Sequence, residues 1–384
     1  MDHYESQIYE LCIEVNSKFM KSECKNLSFG FLCRIEERKE IVMKLIETKQ
    51  AVGHVICHDI TIIVKDKIKD TAFRKGHIVK EEDIPILLSI GKDHLYVWEK
   101  DETMYHEDEA AVILADACEG KGMKRSNPKE GKIELTADCD GLFQVDVARL
   151  TAINSLEHMM IATRHTNTAV KKGDKLAGTR IIPLVIEKEK MKAVSDIAGK
   201  ENPILKISPF VRKTAGIVTT GNEVFYGRIK DTFTPVICEK MQQFGVEVIG
   251  HKIVGDDREK ITEAILELKA QGAEMILCTG GMSVDPDDRT PSAIKKSGAA
   301  IVSYGAPVLP GAMFLLGYFE DGTPIMGLPG CVMYAKATIF DLVLPRILAD
   351  VPVTKKDLAV MGHGGLCLGC EVCHYPSCGF GKGV

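Results

Sequence analysis

Ile276-Leu277-Cys278-Thr279-Gly280-Gly281-Met282-Ser283-Val284-Asp285-Pro286-Asp287-Asp288-Arg289-Thr290-Pro291 is the stretch on which the fold of this chain turns. It opens as a short apolar run, passes through two adjacent glycines and an acidic tract, and closes on Thr-Pro, a pair suited to the first turn of a helix. A buried strand leading through glycine into a helix is the repeating unit of a parallel α/β sheet. The glycines can turn backbone N–H groups toward an oxyanion, and the following helix N-terminus favours negative charge. Asp285, Asp287 and Asp288 would repel a bare phosphate, so a bridging Mg²⁺ suits the loop. The plainer alternative makes Asp288 part of the helix cap and leaves the other two as solvated charge.

Working outward, the same rhythm repeats. Residues 214–219 read as a buried strand, 232–244 as a helix, 246–254 as a strand, 258–271 as a helix and 274–279 as a strand. Two more strands are predicted at 313–319 and 324–327, and a long helix from Cys331 to Leu348. Strands alternating with helices of this length imply βαβ units. The prediction for 209–350 is therefore an α/β fold, a three-layer αβα doubly wound domain with a mainly parallel sheet. In such sheets ligands lie beyond the carboxyl ends of the strands. The loops expected there are Thr219-Thr220-Gly221-Asn222-Glu223-Val224 with Gly227 and Asp231 downstream, Gly255-Asp256-Asp257, the glycine loop already quoted, and Gly327-Leu328-Pro329-Gly330-Cys331. Taken singly, the first and last of these are ordinary turn chemistry.

The rest of the chain reads differently. Residues 1–42 form an N-terminal extension, with one amphipathic helix around Ile8, Leu11, Cys12 and Val15. Short β-branched runs at 54–57, 61–64, 94–97, 142–145 and 181–186, with helices at 81–90 and 106–118, predict a β-rich domain over 43–208. The Pro-containing stretch 202–209 is expected to be its linker to the α/β domain.

Hydrophobic residues make up 45% and charged residues 27%, so a disordered or collagen-like chain is excluded. No apolar run approaches the ~18 residues needed to cross a bilayer, and the N-terminus carries no secretory pattern, which points to a cytoplasmic protein. With 49 Lys and Arg against 54 Asp and Glu, the net charge of −5 offers no general attraction for nucleic acid or anionic membrane. Any anion must be held locally.

Nine of the 13 cysteines are scattered and read as reduced structural thiols. Cys367, Cys370, Cys373 and Cys378 are different. They crowd a Cys-rich tail over 351–384 with spacing C-x2-C-x2-C-x4-C among glycines, as a thiolate cage requires. The spacing is near that of ferredoxins without matching it, so Zn²⁺ and an iron–sulfur cluster both remain open. The alternative is a flexible tail with unliganded cysteines or a redox pair. His363 and His374 stand beside the cysteines as substitute or supporting ligands.

The ordered set TTGNEV, GRIKD, VGDD, TGGMSVDPDDRTPSA and GLPG resembles the molybdopterin-binding domain of molybdopterin molybdenumtransferases, molybdopterin adenylyltransferases and gephyrin. The resemblance implies a pyranopterin dithiolene monophosphate bound across the strand ends, with Mg²⁺ assisting adenylylation or molybdate insertion. By that resemblance Asp256 and Asp288 take the acidic catalytic positions that hold Mg²⁺. Thr220, Gly221, Asn222 and Glu223 form the first pterin-binding loop, with Asp231 downstream. Thr279, Gly280, Gly281, Met282 and Ser283 form the phosphate-cradling loop, and Leu328, Pro329 and Gly330 the closing one.

Met282-Ser283 stands where the adenylyltransferase pattern has a second Thr-Gly pair, which favours a molybdenumtransferase-like enzyme acting late in molybdenum cofactor biosynthesis. The Ser-Ala-Met-Asp-Gly-Tyr-like segment of the longer molybdenumtransferases is missing. Ala72-Phe73-Arg74-Lys75-Gly76-His77-Ile78 looks instead like the start of a divergent branch, or is a solvated basic turn. The missing segment leaves a second reading, a carrier or sensor of the cofactor serving a molybdoenzyme acceptor. A nucleotide-hydrolysing α/β enzyme is the third. Relatives of this kind assemble through the domain, so the resemblance also implies a homo-oligomer.

Overall fold

The computed structural model describes residues 43–64, 68–98, 103–199, 202–283 and 288–383. The extension expected over 1–42, and with it the predicted helix, lies outside them, as do Asp285 and Asp287.

The α/β domain is built as its loops require. Strand β1 (Thr214–Thr220) is followed by helix α1 (Phe233–Gln242), β2 (Glu247–Val254), α2 (Arg258–Ala270), β3 (Ile276–Thr279) and α3 (Thr290–Lys296). Then come β4 (Ala300–Tyr304), β5 (Leu315–Tyr318), β6 (Pro324–Leu328), α4 (Ile339–Leu348) and α5 (Lys355–Val360). The sheet order is β2-β1-β3-β6-β5-β4. The first four strands are parallel, and β5 runs antiparallel to both β6 and β4.

Alternation along the strands decides which layer each side chain joins. On β1, Ile217 packs with Ile237, Met241, Phe340 and Leu344 from α1 and α4, whereas its neighbour Val218 packs with Ile261, Ile265 and Ile294 from α2 and α3. Both faces of the central strands are covered, which is why β1 and β3 read as unbroken apolar runs. The domain is thus the three-layer αβα arrangement expected.

Two details differ. Strand β4 was not foreseen, because Ala300–Tyr304 is an edge strand without a clean apolar pattern. The helix expected from Cys331 is split into a 3₁₀ turn, Gly330–Met333, and α4. The buried Thr338 stops the first and starts the second: its hydroxyl accepts the Phe340 N–H at 3.2 Å, and Asp341 accepts the Thr338 N–H at 2.8 Å in a capping box.

The region before it is β-rich. Met43–Glu47 pairs with His94–Trp98 and Ile60–Val64 with Ile68–Phe73, over a small core that includes Ile56, Leu87 and Val97. Residues 54–57, expected to be a strand, make only isolated bridges at Val55 and Ile56. A four-stranded antiparallel sheet and a three-stranded one follow, packed with helices Glu107–Cys118, Val147–Asn154 and Lys188–Ala198.

The run at 181–186 is broken. Ile181 ends one strand and Val185 begins another, with exposed Ile182 and half-buried Pro183 between them, since proline cannot donate to a ladder. The expected linker at 202–209 is instead structured. Leu205–Ser208 pairs with Leu142–Val145, burying Leu205 and Ile207 on one face and exposing Lys206 on the other.

The C-terminal segment is docked. Leu309 and Cys367 exchange backbone bonds with neighbours across the junction: the Cys367 N–H donates to Leu309 O and the Leu309 N–H to Gly365 O, both at 2.8 Å. Phe380 is buried in the same core as α4, and Tyr375 donates its hydroxyl to Asp341 O at 2.8 Å. Burying a side chain of this kind contributes about 2 kcal/mol. The unanchored tail that one reading allowed is therefore not what forms.

Candidate functional site

At the carboxyl ends of β1 and β3 the two threonine-rich strand tips are stitched together. Thr220 Oγ1 donates to Thr279 O at 3.1 Å and lies 2.9 Å from Thr290 Oγ1, the first residue of α3. All three threonines are buried. This leaves no room for a side chain in the turn that follows. Gly280 has φ +81°, and a Cβ there would lie 2.2 Å from Thr220 O; at Gly281, with φ +53°, it would meet Thr290 Oγ1 at 2.8 Å. The glycine pair therefore lets the chain leave β3 pressed against Thr220 at the tip of β1 and Thr290 at the start of α3.

A second cluster supports the first. Thr219 Oγ1 lies 3.0 Å from His251 Nε2 and 3.1 Å from Thr234 Oγ1, and Asp231 Oδ2 accepts the Thr234 hydroxyl at 2.6 Å. Asp231 Oδ1 accepts the Phe233 and Thr234 N–H groups at 2.8 and 3.1 Å, so the carboxylate anchors the start of α1. Burial pushes its carboxyl up, but the bonds from Thr234 and Phe233 and the nearby His251 outweigh that and hold it below the usual value. Burial lowers the basicity of His251, and Asp231 only partly offsets this. Asp231 is thus a positioning group at the tip of β1.

The first loop is fixed to the second strand-end loop. The Asn222 N–H donates to Asp256 Oδ2 at 3.0 Å, and the Asp256 N–H donates to Asn222 Oδ1 at 3.3 Å. Asp257, the other acid of VGDD, is spent as the cap of α2, accepting the Glu259 and Lys260 N–H groups at 2.9 and 3.1 Å. Asn222 and Glu223 are exposed at the surface of this loop, as is Ser283 in the glycine loop.

Some of the residues expected in the ligand loops have buried side chains. Met282 is buried against Gly327, where a Cβ would stand 2.5 Å from the methionine methyl. Leu328 is in the core and Pro329 is buried, which leaves Gly330 as the exposed part of the closing loop. Asp288 lies close enough to Tyr304 that its charge, after burial, helps raise that phenol.

Sequence reasoning had singled out neither Tyr304 nor His251. Tyr304 donates its hydroxyl to Met282 O at 2.9 Å and so braces the glycine loop from edge strand β4. The aromatic and aliphatic rim of Phe225, Tyr226, Ile229, Met333 and Tyr334 was likewise missed, although all five are exposed in or just after the short helical turns Asn222–Phe225 and Gly330–Met333 that follow the first and closing motifs. Their signal was available as apolar residues inside otherwise polar loops. Arg228 stands 5.4 Å from the Tyr226 ring centroid and adds a cation to this rim.

The C-terminal cysteines do not share this site. Cys367 and Cys378 are half-buried against the core, whereas Cys370 and Cys373 are exposed, and all four are free thiols. Among the described residues no three His, Cys, Asp or Glu side chains are gathered as a ligand set for a metal ion.

A tight glycine turn, threonine-bonded strand tips and an acidic loop meet at the end of the αβα sheet where ligands of such folds lie. Residues 216–349 match the family described as "Probable molybdopterin binding domain". Residues 45–99 match a family described as a domain of unknown function. A CinA-like protein of Desulfosudis oleivorans is 40% identical over 83 residues, 22% of this chain and 20% of its own length. A competence-damage inducible protein of Bacillus cereus is 33% identical over 95 residues, 25% of this chain and 23% of its own. The matches therefore span about a fifth of these curated relatives. The crystal structure of the molybdopterin biosynthesis enzyme MoaB from Thermus thermophilus is 22% identical, with a TM-score of 0.30, over 37% of this chain and 98% of that one.

Proposed function

We propose that the strand-end site binds molybdopterin and serves a late step of molybdenum cofactor biosynthesis, the Mg²⁺-dependent insertion of molybdate into molybdopterin or its adenylylated form. The observation that carries the reading is the Gly280-Gly281 turn, held against Thr220 and Thr290 inside the stretch that matches the molybdopterin-binding family. The partly exposed backbone of that turn suits the ligand's phosphate, and the rim around Tyr226 and Tyr334 suits the flat pterin ring.

The donor chemistry suits Mg²⁺. Asp256 Oδ2 is bonded to Asn222, while Oδ1 has no hydrogen bond among the described residues. Mg²⁺ commonly takes only one or two protein carboxylates and completes its shell with water and substrate phosphate. Asp256 and Asp288 would hold it, and the ion would neutralise charge as two anions approach. Asn222 orients Asp256, and Tyr304 fixes the loop that leads to Asp288.

Zinc or an iron–sulfur cluster at Cys367, Cys370, Cys373 and Cys378 would need a rearrangement that gathers the four thiols. A carrier role is the second reading, favoured by the missing Ser-Ala-Met-Asp-Gly-Tyr-like segment.

The test begins with protein purified without oxygen, analysed by mass spectrometry for pterin and by elemental analysis for molybdenum, zinc and iron. Molybdopterin is expected to co-purify or bind on addition, and to be lost in both Asp288→Ala and Gly281→Asp. Unchanged affinity in both variants would remove this loop from the site. Turnover with molybdate and Mg²⁺ separates the enzyme from a carrier, which binds without converting.

A further inference from the structure

The opposite end of the sheet holds a cavity of 1410 Å³ that the strand-end reading does not use. It is bounded by the 163–171 loop of the β-rich region, the amino ends of β1 and β2, helices α4 and α5, and the docked C-terminal segment. His165 Nε2 lies 3.1 Å from Gly383 O and closes one side.

Its charge runs against that of the chain. Eight Lys and Arg line it against three Asp, in a protein whose acids outnumber its bases. The acids are already engaged: Asp341 with Lys240, Asp357 with Arg346 at 3.2 Å, and Asp140 with the Lys172 N–H at 2.8 Å. Lys171, Lys213, Lys356 and Lys382 have no side-chain partner among the described residues. Unpaired ammonium groups that line one space repel one another unless an anion joins them.

The same walls are aromatic. Phe210 and Phe244 form an edge-to-face pair with centroids 5.4 Å apart, and Tyr375 and Phe380 a second at 6.3 Å. Aromatic rings beside unpaired lysines suit a flat ring that carries anionic groups. The volume exceeds the ~300–1,000 Å³ of most small-ligand pockets, which leaves room for a nucleotide with its water.

We propose that this cavity is a second ligand site, for a phosphorylated heteroaromatic of the nucleoside triphosphate kind. Its phosphates face the unpaired lysines and its ring lies against the aromatic side chains. The proposal is independent of the strand-end reading, since the two sites occupy opposite ends of the sheet.

ATP, adenosine and tripolyphosphate are the probes, with binding measured by calorimetry on the full chain at low and high salt. ATP is expected to bind more tightly than either fragment and to weaken as salt rises. The exposed pair Lys171→Glu and Lys356→Glu together should weaken ATP by about tenfold or more, because the charges face the phosphates directly. A Lys171→Gln and Lys356→Gln pair should weaken it less, and Gly281→Asp in the strand-end loop should leave it within about twofold. No ATP binding, tripolyphosphate as tight as ATP, ATP unaffected by the lysine reversals, or ATP lost in Gly281→Asp would each overturn the proposal.

Discussion

The two ends of the central sheet solve different problems. At the carboxyl end, contiguous loops of a few residues each are drawn together by threonine hydroxyls and glycine turns, and polar backbone is left at the surface. At the amino end, residues as far apart in sequence as Asp140 and Gly383 line a large cationic space. One end is built by strand topology. The other is built by docking, because it exists only once the β-rich region and the C-terminal segment have folded against α4 and α5.

That contrast can be broken at either end. The largest effect is expected from Phe380→Ala, which empties a core position beside α4 and should cost about 3–5 kcal/mol in urea unfolding. Its consequence for binding should be confined to the cationic cavity. If pterin binding at the strand ends falls as much as ATP binding at the cavity, the two ends are not separable.

Gly280→Ala comes next. Positive φ and a Cβ 2.2 Å from Thr220 O should cost about 2–3 kcal/mol, with loss of the strand-end ligand and retention of the cavity ligand. A variant as stable as the parent by the same unfolding assay would show that the turn can relax.

The smallest effect is expected from Asp231→Ala, about 1–2 kcal/mol from loss of the bonds to the first amides of α1. Its sign with pH is fixed. The folded carboxyl sits below its ordinary value of 3.8, so its stabilisation is present above that pH and fades as pH falls through the folded value. Parent and variant stabilities, followed by chemical unfolding from neutral pH into acid, should therefore converge at low pH. A gap that stays constant would assign the effect to packing.

How much of this was legible depends on how far apart the participants lie in the chain. The glycine loop, the acidic VGDD turn and the apolar strands of the αβα domain could be read directly, because each is a local pattern with a local physical cause. The stretch at 202–209 carried a readable alternation, Leu205 and Ile207 against Lys206, but its proline drew the reading toward a linker. Met282, read as part of the ligand loop, has a buried side chain, and the approach of Gly327 from β6 that covers it is not a local pattern.

By itself, then, the sequence determined the order of strands and helices from β1 to α3, the glycine turn at the tip of β3 and the acids beside it. Hydrophobic period, helix caps and glycine's freedom at positive φ act within a few residues. Only the tertiary structure decided that Tyr304 braces that turn, that His251 and Thr234 meet Thr219 at the tip of β1, and that Asp257 is spent on a cap. It alone gathered lysines from the β-rich region, the sheet and the C-terminal segment into one cavity. Such contacts depend on packing between segments distant in the chain, for which neither periodicity nor composition carries a signal.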